Sequence, residues 1–490
     1  MRRSKARRVA AFGLALGLTA MGLTACETAP ATGKRIFTGG LSPQAEAQLG
    51  LREHDKVLAE FGGAYDDPAL AAYVSSLGNL LVQTSETPNE RFTFTVLDSP
   101  VVNAFALPGG YVYVTRGLMA LADNEAELAG VMAHEIGHVT ARHPAERYGD
   151  QMTASILSAG AAVLLGGGAG QSAGAVSQLV LSGYSRDQEY EADLLGVRYL
   201  SRSGHDPRAM ASFLAKLQAQ SRLEAELAGQ PGRADEFSLL QSHPRTADRV
   251  QRAIAEASGT AVADPIVARD IYLRKIDGLL YGDNPNQGLI RGREFIHPDL
   301  GFAFQVPDDF RLFNSTSRVT ARGPRGAAIV FDQARQPSRA SMTDYLIREW
   351  ARSLSLTAVE PITVNGMEAA SGAGQVNTRS GALDLRLVAI RYDTDRIYRF
   401  AFITAPQVTA RHTAGFRRTT YSFRRLGQAD AGQYGPQRVR LYTVRPGDTP
   451  SSIASRMPFE ERKLDRFLVL NGLDRSSGLQ AGQIVKIIAR

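Results

Sequence analysis

The stretch His134-Glu135-Ile136-Gly137-His138 constrains this chain more than any other, because its three polar side chains can act together only on a helix. Residues four apart share a helical face, with Cβ atoms about 5–6 Å apart, so both imidazoles can reach one metal ion. Glu135 stands beside them as a base able to take a proton from a water on that ion. The flanking residues ask for the same helix. Asn124 with Glu127 makes a capping-box-like start, Leu128, Val131, Ala133 and Ile136 supply apolar positions, and Pro144 lies past the end, which predicts a helix over 124–143. The alternative is a merely polar helix face, and this context argues against it.

A hydrolytic zinc usually keeps three protein ligands and one open position, so a third ligand must come from elsewhere in the chain. In Ser185-Arg186-Asp187-Gln188-Glu189-Tyr190-Glu191-Ala192-Asp193, Ser185 and Gln188 form another capping-box pattern. Glu189 then falls in the first helical turn as the candidate ligand, with Asp193 on the same face. An acid at Asp193 can accept the free N–H of a ligating histidine. Other nearby groups read differently. His143 is expected as a C-terminal dipole partner of the first helix, and Glu191, about 200° around from Glu189, as solvated or paired. His54 and His205 are expected as satisfied surface residues.

Several separate segments resemble the forty-eighth metallopeptidase family, gluzincins of the C-a-a-X prenyl protease, HtpX and BepA type. They are Asn103 to Gly110, Tyr111 to Thr115, Glu127 to Val131, the His134 motif, Ser185-Arg186, Glu189, Ala192-Asp193, and Ser242-His243-Pro244 with Arg249, all within residues 44 to about 257. The resemblance implies a mainly α zincin-type domain with a small edge-strand sheet, holding one Zn2+ through His134, His138 and Glu189, with Glu135 as general base. It places His243 over the metal, either as a fourth ligand in a latent state or as a stabiliser of the tetrahedral intermediate. Asp193 would stand behind the ligands, and Arg249 would bind substrate or brace Asp193. Asn103, Ala104, Phe105, Gly109 and Gly110 would form a Gly-Gly turn and an edge strand that pairs with extended substrate.

The front of the chain reads as an address. Arg2, Arg3, Lys5, Arg7 and Arg8 precede an apolar run from Val9 to Leu23 and then Leu23-Thr24-Ala25-Cys26, a signal peptide over 1–25 that resembles the lipobox of bacterial lipoproteins. The run is short for a span of about twenty residues. Cys26 is the sole cysteine and the expected lipidation site, and Glu27 after it leans toward the outer membrane. Removing those five basic groups takes the formal net charge from +7 to 7 less 5, or +2, so basicity is poor grounds for nucleic-acid binding. A single cysteine also excludes an internal disulfide.

The chain is expected to be multidomain: lipid anchor and tether at 26–41, peptidase domain at 42–265, linker at 266–292, α/β domain at 293–428, linker at 429–439 and a last module at 440–490. Helix is predicted over 68–82 and strand over 92–97, while the glycine-interrupted apolar stretch 157–183 reads as an active-site flap or helical hairpin rather than a span. Strands are predicted over 302–306, 327–331, 383–392 and 397–404, broken by an amphipathic helix over 341–356 carrying the lone Trp350. This makes an α/β sandwich distantly like the PsbP-type fold, read as a substrate-presentation or partner domain. Tyr442 to Thr449, Ile453-Ala454, Leu470 to Leu473 and Leu479 to Ile487 resemble a LysM module. That implies a βααβ fold gripping N-acetylglucosamine-containing glycan, although Pro450 stands where the family usually has leucine.

These expectations combine into a zinc-dependent endopeptidase of the bacterial envelope, lipid-anchored in the periplasm, acting on unfolded or misassembled envelope proteins, with peptidoglycan as a further partner and no nucleic acid. Two rivals are a binding or assembly lipoprotein with chaperone-like activity and a peptidoglycan hydrolase.

Overall fold

The computed structural model describes residues 26–150, 183–227 and 262–490 apart from 316, 335–337, 379–380 and 428–433; between 228 and 261 it describes Gly229, Gly232, His243, Arg249, Arg252 and Ala255. The expected signal peptide and residues 157–182 of the glycine-interrupted stretch lie outside the described residues. The chain divides into two compact units, one of residues 1–58, 63–281 and 438–489, the other of 59–62, 282–437 and 490.

The first unit opens with β1 (Cys26–Thr28) paired antiparallel to β2 (Arg35–Phe37). Residues 26–41 were expected as a tether, and the structure corrects this. Ala29, Ile36 and Thr38 are buried, and Arg142 pairs with Glu27 and Glu46, so the segment is packed onto the fold. Helices α1 (Pro43–Glu60) and α2 (Pro68–Gln83) follow, α2 capped by Asp67. Next come β3 (Thr93–Leu97), β4 (Ala104–Leu107) and β5 (Tyr111–Thr115), in the order β3-β5-β4, which leaves β4 on an edge. The β4–β5 turn demands glycine. Gly109 and Gly110 have φ of 81° and 83°, and a Cβ on Gly110 would lie 2.5 Å from the Arg91 carbonyl oxygen.

Helices α3 (Arg116–Leu121), α4 (Glu125–Thr140), α5 (Arg186–Arg202) and α6 (Arg208–Leu227) build the core around α4, which is buried on every side. Asn124 caps α4 as the sequence predicts, but the helix ends at Thr140 rather than 143 because Arg142 turns the chain at φ 58°. Residues 266–292, expected as a linker, instead carry α7 (Arg269–Ile276) and the short strands β6 (Leu280–Tyr281) and β7 (Leu289–Arg291). Tyr272, Leu273 and Ile276 of α7 belong to the same core as α4.

The second unit continues with β8 (Glu294–His297), β9 (Phe302–Gln305), β10 (Arg311–Asn314), β11 (Val319–Arg322) and β12 (Ala328–Gln333). It then runs through β13 (Leu356–Val364), β14 (Met367–Thr378), β15 (Gly381–Arg391), β16 (Ile397–Thr404), α8 (Thr409–Ser422) and β17 (Arg424–Arg425). One sheet has the order β10-β11-β12-β16-β15-β14-β13, the other β17-β9-β8-β7. Phe295, Phe302, Phe304, Phe331, Phe400 and Phe423 form its aromatic core. The helix expected over 341–356 is one α turn at Met342–Asp344 running into a π turn at Tyr345–Trp350. It stops there because Leu356 is taken into the sheet opposite Gly374.

The tail returns to the first unit with β18 (Gln437–Thr443), α9 (Pro450–Ala454), α10 (Lys463–Leu470) and β19 (Ile484–Ala489), the predicted βααβ order. Its sheet is extended by β6 in the order β19-β18-β6. Val439, Ile453, Phe467, Val485 and Ile488 share one core with Leu128 and Val131 of α4. Lys486 is fully buried and its Nζ donates to the carbonyls of Ala120, Leu121 and Ala122 at 2.9, 3.0 and 2.7 Å. The same ammonium lies 2.8 Å from Asp123 Oδ1, and Asp123 also pairs with Lys216, which reaches Glu127 of α4 at 2.9 Å. Among the described residues no helix is long and apolar enough to cross a membrane.

Candidate metal centre

Two helices bring the centre together. α4 presents His134, Glu135 and His138, and α5 presents Glu189 and Asp193. Both halves of the predicted capping box at Ser185 and Gln188 form, fixing Glu189 in the first turn of α5. Glycines let the helices approach. A Cβ on Gly137 would lie 3.2 Å from the Ala192 carbonyl oxygen, and one on Gly196 would lie 3.2 Å from the His134 nitrogen.

His134 Nε2 is 3.0 Å from His138 Nε2 and 3.3 Å from His243 Nδ1. His243 Nδ1 is 2.8 Å from Glu189 Oε1, and His138 Nε2 is 3.5 Å from the same oxygen. One donor atom from each of these four buried residues lies within 4.8 Å of the others, a group that could hold a metal ion. His134 Nδ1 faces Asp193 Oδ1 at 3.0 Å, so it carries the hydrogen and Nε2 presents its lone pair inward. Lone pairs converging this closely repel unless a cation stands between them, and the donor set of imidazoles and a carboxylate fits one. Arg249 grips Asp193 through Nε and Nη2, both at 2.7 Å, and places Nη1 2.5 Å from Glu189 Oε2. Arg249 thus contacts both Asp193 and Glu189.

At Glu189 and His138 the electrostatics favour the protonation states a metal needs. Burial works against the Glu189 carboxylate, but His243, His138 and Arg249 outweigh it and hold the group well below its ordinary range. Asp193 is likewise lowered, with burial overcome by His134 and Arg249. Burial pushes the His138 imidazole well below its usual value, keeping it neutral. Burial also raises Glu135, against the pull of His243 and His134. Burial opposes charge on His243, yet Glu189 and Glu135 more than offset it and raise that group. Glu135 Oε2 is buried without a hydrogen-bond partner among the described residues.

The edge residues Ala104 and Phe105 are buried on β4, which packs against α4, and Asn103 Oδ1 is buried without a partner among the described residues. Cys26 starts β1. Two readings need correction, those of His143 and His205, while His54 is satisfied as expected. His143 is not a helix-end dipole partner: its Nδ1 is 2.8 Å from His138 Nδ1 and its Nε2 is 3.0 Å from Glu191 Oε2. His205 is buried rather than on the surface, 2.9 Å from Ser203 Oγ and 3.5 Å from Glu125 Oε1. His54 is partnered by the Tyr113 hydroxyl at 2.8 Å. Tyr184, which sequence reasoning passed over, stacks on the His138 ring at 3.8 Å between centroids.

Residues 68–257 match Peptidase family M48, and residues 442–487 match the LysM domain. The chain carries an M48 metallopeptidase domain and a LysM domain. Over 239 residues it is 35% identical to the beta-barrel assembly-enhancing protease of Escherichia coli (strain K12), covering 45% of this chain and 46% of that one. It is 29% identical over 238 residues to the mitochondrial metalloendopeptidase OMA1 of Schizosaccharomyces pombe, covering 47% of this chain and 66% of that one. The match thus spans about half the length of the first of these relatives. A solution structure of cyanobacterial PsbP from Synechocystis aligns with a TM-score of 0.22 at 13% identity, covering 31% of this chain and 93% of that one, a likeness from which no fold relationship follows. The M48 match contains α4, α5, His243 and Arg249, so the convergent donors all fall inside it.

Proposed function

We propose that this chain is a zinc-dependent endopeptidase of the bacterial cell envelope, anchored by lipid at Cys26 to the periplasmic face of the outer membrane, that hydrolyses unfolded or misassembled envelope proteins. The observation that carries the reading is the convergence of His134, His138 and Glu189 beside a buried Glu135 oxygen that has no hydrogen-bond partner among the described residues. Zinc bound there supplies Lewis acidity for amide hydrolysis and acidifies water to a pKa of about 7. The chain's own groups do the rest. Glu135, raised by burial, takes a proton from the attacking water and returns it to the departing amine. Asp193 and Arg249 hold His134 and Glu189 in place. The β4 edge at Ala104 and Phe105 pairs with extended substrate backbone.

The names of the relatives, a beta-barrel assembly-enhancing protease among them, support envelope proteins as substrates, and the LysM match supports contact with peptidoglycan. A lipid at Cys26 would join β1 directly to the packed first unit, holding the centre close to the membrane. His243 supplies a fourth donor, and a four-donor set is the closed, structural pattern rather than the open, catalytic one. This arrangement is therefore the latent state, from which His243 must move away. The test is cleavage of casein by the chain lacking residues 1–26, with bound zinc quantified. About one zinc and chelator-sensitive cleavage support the reading; neither zinc nor cleavage sinks it and favours a binding lipoprotein.

A further inference from the structure

The two histidines of the motif are held from behind in different ways. His134 Nδ1 meets a carboxylate directly, Asp193 at 3.0 Å. His138 Nδ1 meets another imidazole, His143 Nδ1 at 2.8 Å, whose Nε2 lies 3.0 Å from Glu191 Oε2. His143 is buried, and reaches this position because the chain breaks from α4 at Arg142. Two ring nitrogens at hydrogen-bond distance share one hydrogen, one ring donating and the other accepting. For His138 to turn a lone pair on Nε2 toward the metal position, its hydrogen must sit on Nδ1 and be donated to His143. A neutral His143 then carries its own hydrogen on Nε2 and donates it to Glu191. With both rings neutral, this is the one tautomer pair that satisfies both contacts and leaves His138 Nε2 free.

We infer that Glu191 and His143 form a relay of positioning residues that fixes the tautomer and orientation of His138, doing through an added imidazole what Asp193 does for His134 directly. The inference rests on the metal-centre reading above. Tyr184, stacked on the His138 ring, limits its tilt and leaves rotation about the Nδ1 contact to the relay.

Partners of this kind are worth about 10–100-fold in metal affinity. The experiment is competition for zinc against a chromophoric chelator, using the chain lacking residues 1–26, with absorption spectra of the cobalt-substituted forms. His143→Leu fills similar space without an acceptor and is expected to bind zinc about 10–100-fold more weakly, with altered cobalt bands. His143→Gln offers a carbonyl acceptor to His138 Nδ1–H and is expected to recover most of the affinity. Glu191→Leu, at a partly exposed position, is expected to weaken binding less and tests the relay even if His143→Leu fails to fold. A merely structural His143 would shift the melting temperature of the zinc-free Leu and Gln forms without separating their affinities. Wild-type affinity in both His143→Leu and Glu191→Leu would overturn the relay. Failure of the wild type itself to bind zinc would instead overturn the metal-centre reading.

Discussion

Lys486→Met probes how firmly the LysM module is joined to the metallopeptidase domain. The lysine buries its ammonium against three carbonyls at the end of α3 and against Asp123, one residue before the cap of α4. Methionine keeps most of the volume, so packing loss is small. What disappears is the charge and its donors. Breaking one side of a buried ion pair typically costs about 3–5 kcal/mol, because the remaining partner is left uncompensated. Here Asp123 retains Lys216, which places the expected loss at the low end, about 3 kcal/mol. Urea unfolding followed by far-ultraviolet circular dichroism would measure it. The expected result is a lower midpoint for the first unit as a whole, including the helices of the metal centre, since both parts share one core. A loss below about 1 kcal/mol, the worth of an exposed pair, would refute the docking argument.

Other outcomes follow from the same geometry. Gly137→Ala should weaken zinc binding by forcing α4 and α5 apart by a few tenths of an ångström, even though alanine gains about 1 kcal/mol in helix propensity; unchanged affinity in a chelator titration would count against the close approach. His243→Ala should keep its zinc and cleave casein faster than the wild type; slower cleavage at equal zinc content would place His243 in catalysis rather than latency. Glu125 is held below the usual carboxylate range by the His205 imidazole beside it, with burial opposing and the Tyr73 hydroxyl assisting. Its folded value is the lower one, so its contribution is complete above about 4.5 and is lost as pH falls through the lowered value. Glu125→Gln should therefore flatten the acid side of the stability profile below that pH, and an unchanged slope between pH 5 and pH 3 would contradict this.

The centre was legible where local chemistry decides position. Asn124 caps α4 and the Ser185–Gln188 box starts α5, so spacing along each helix placed His134, His138, Glu189 and Asp193 together. His143 escaped because its role depends on the break at Arg142, a positive φ at a non-glycine residue that no turn rule anticipates. Residues 26–41 read as a tether because their burial depends on Arg142, more than a hundred residues away. Lys486 interrupts the apolar run Ile484-Val485-Lys486-Ile487-Ile488 and reads alone as a solvent-facing strand residue. Only docking on the end of α3 turns it inward. The strands expected over 302–306 and 397–404 form at Phe302–Gln305 and Ile397–Thr404, whereas the π turn at Tyr345–Trp350 carries the same apolar spacing as an ordinary helix.

The proposed activity depends on a single zinc ion held by His134, His138 and Glu189. An anomalous difference map collected at the zinc edge from crystals of the chain lacking residues 1–26 tests it most directly. One peak about 2.0–2.2 Å from His134 Nε2, His138 Nε2 and a Glu189 oxygen is the predicted result. A zinc-loaded crystal with its peak elsewhere, or with none at these donors, would contradict the account.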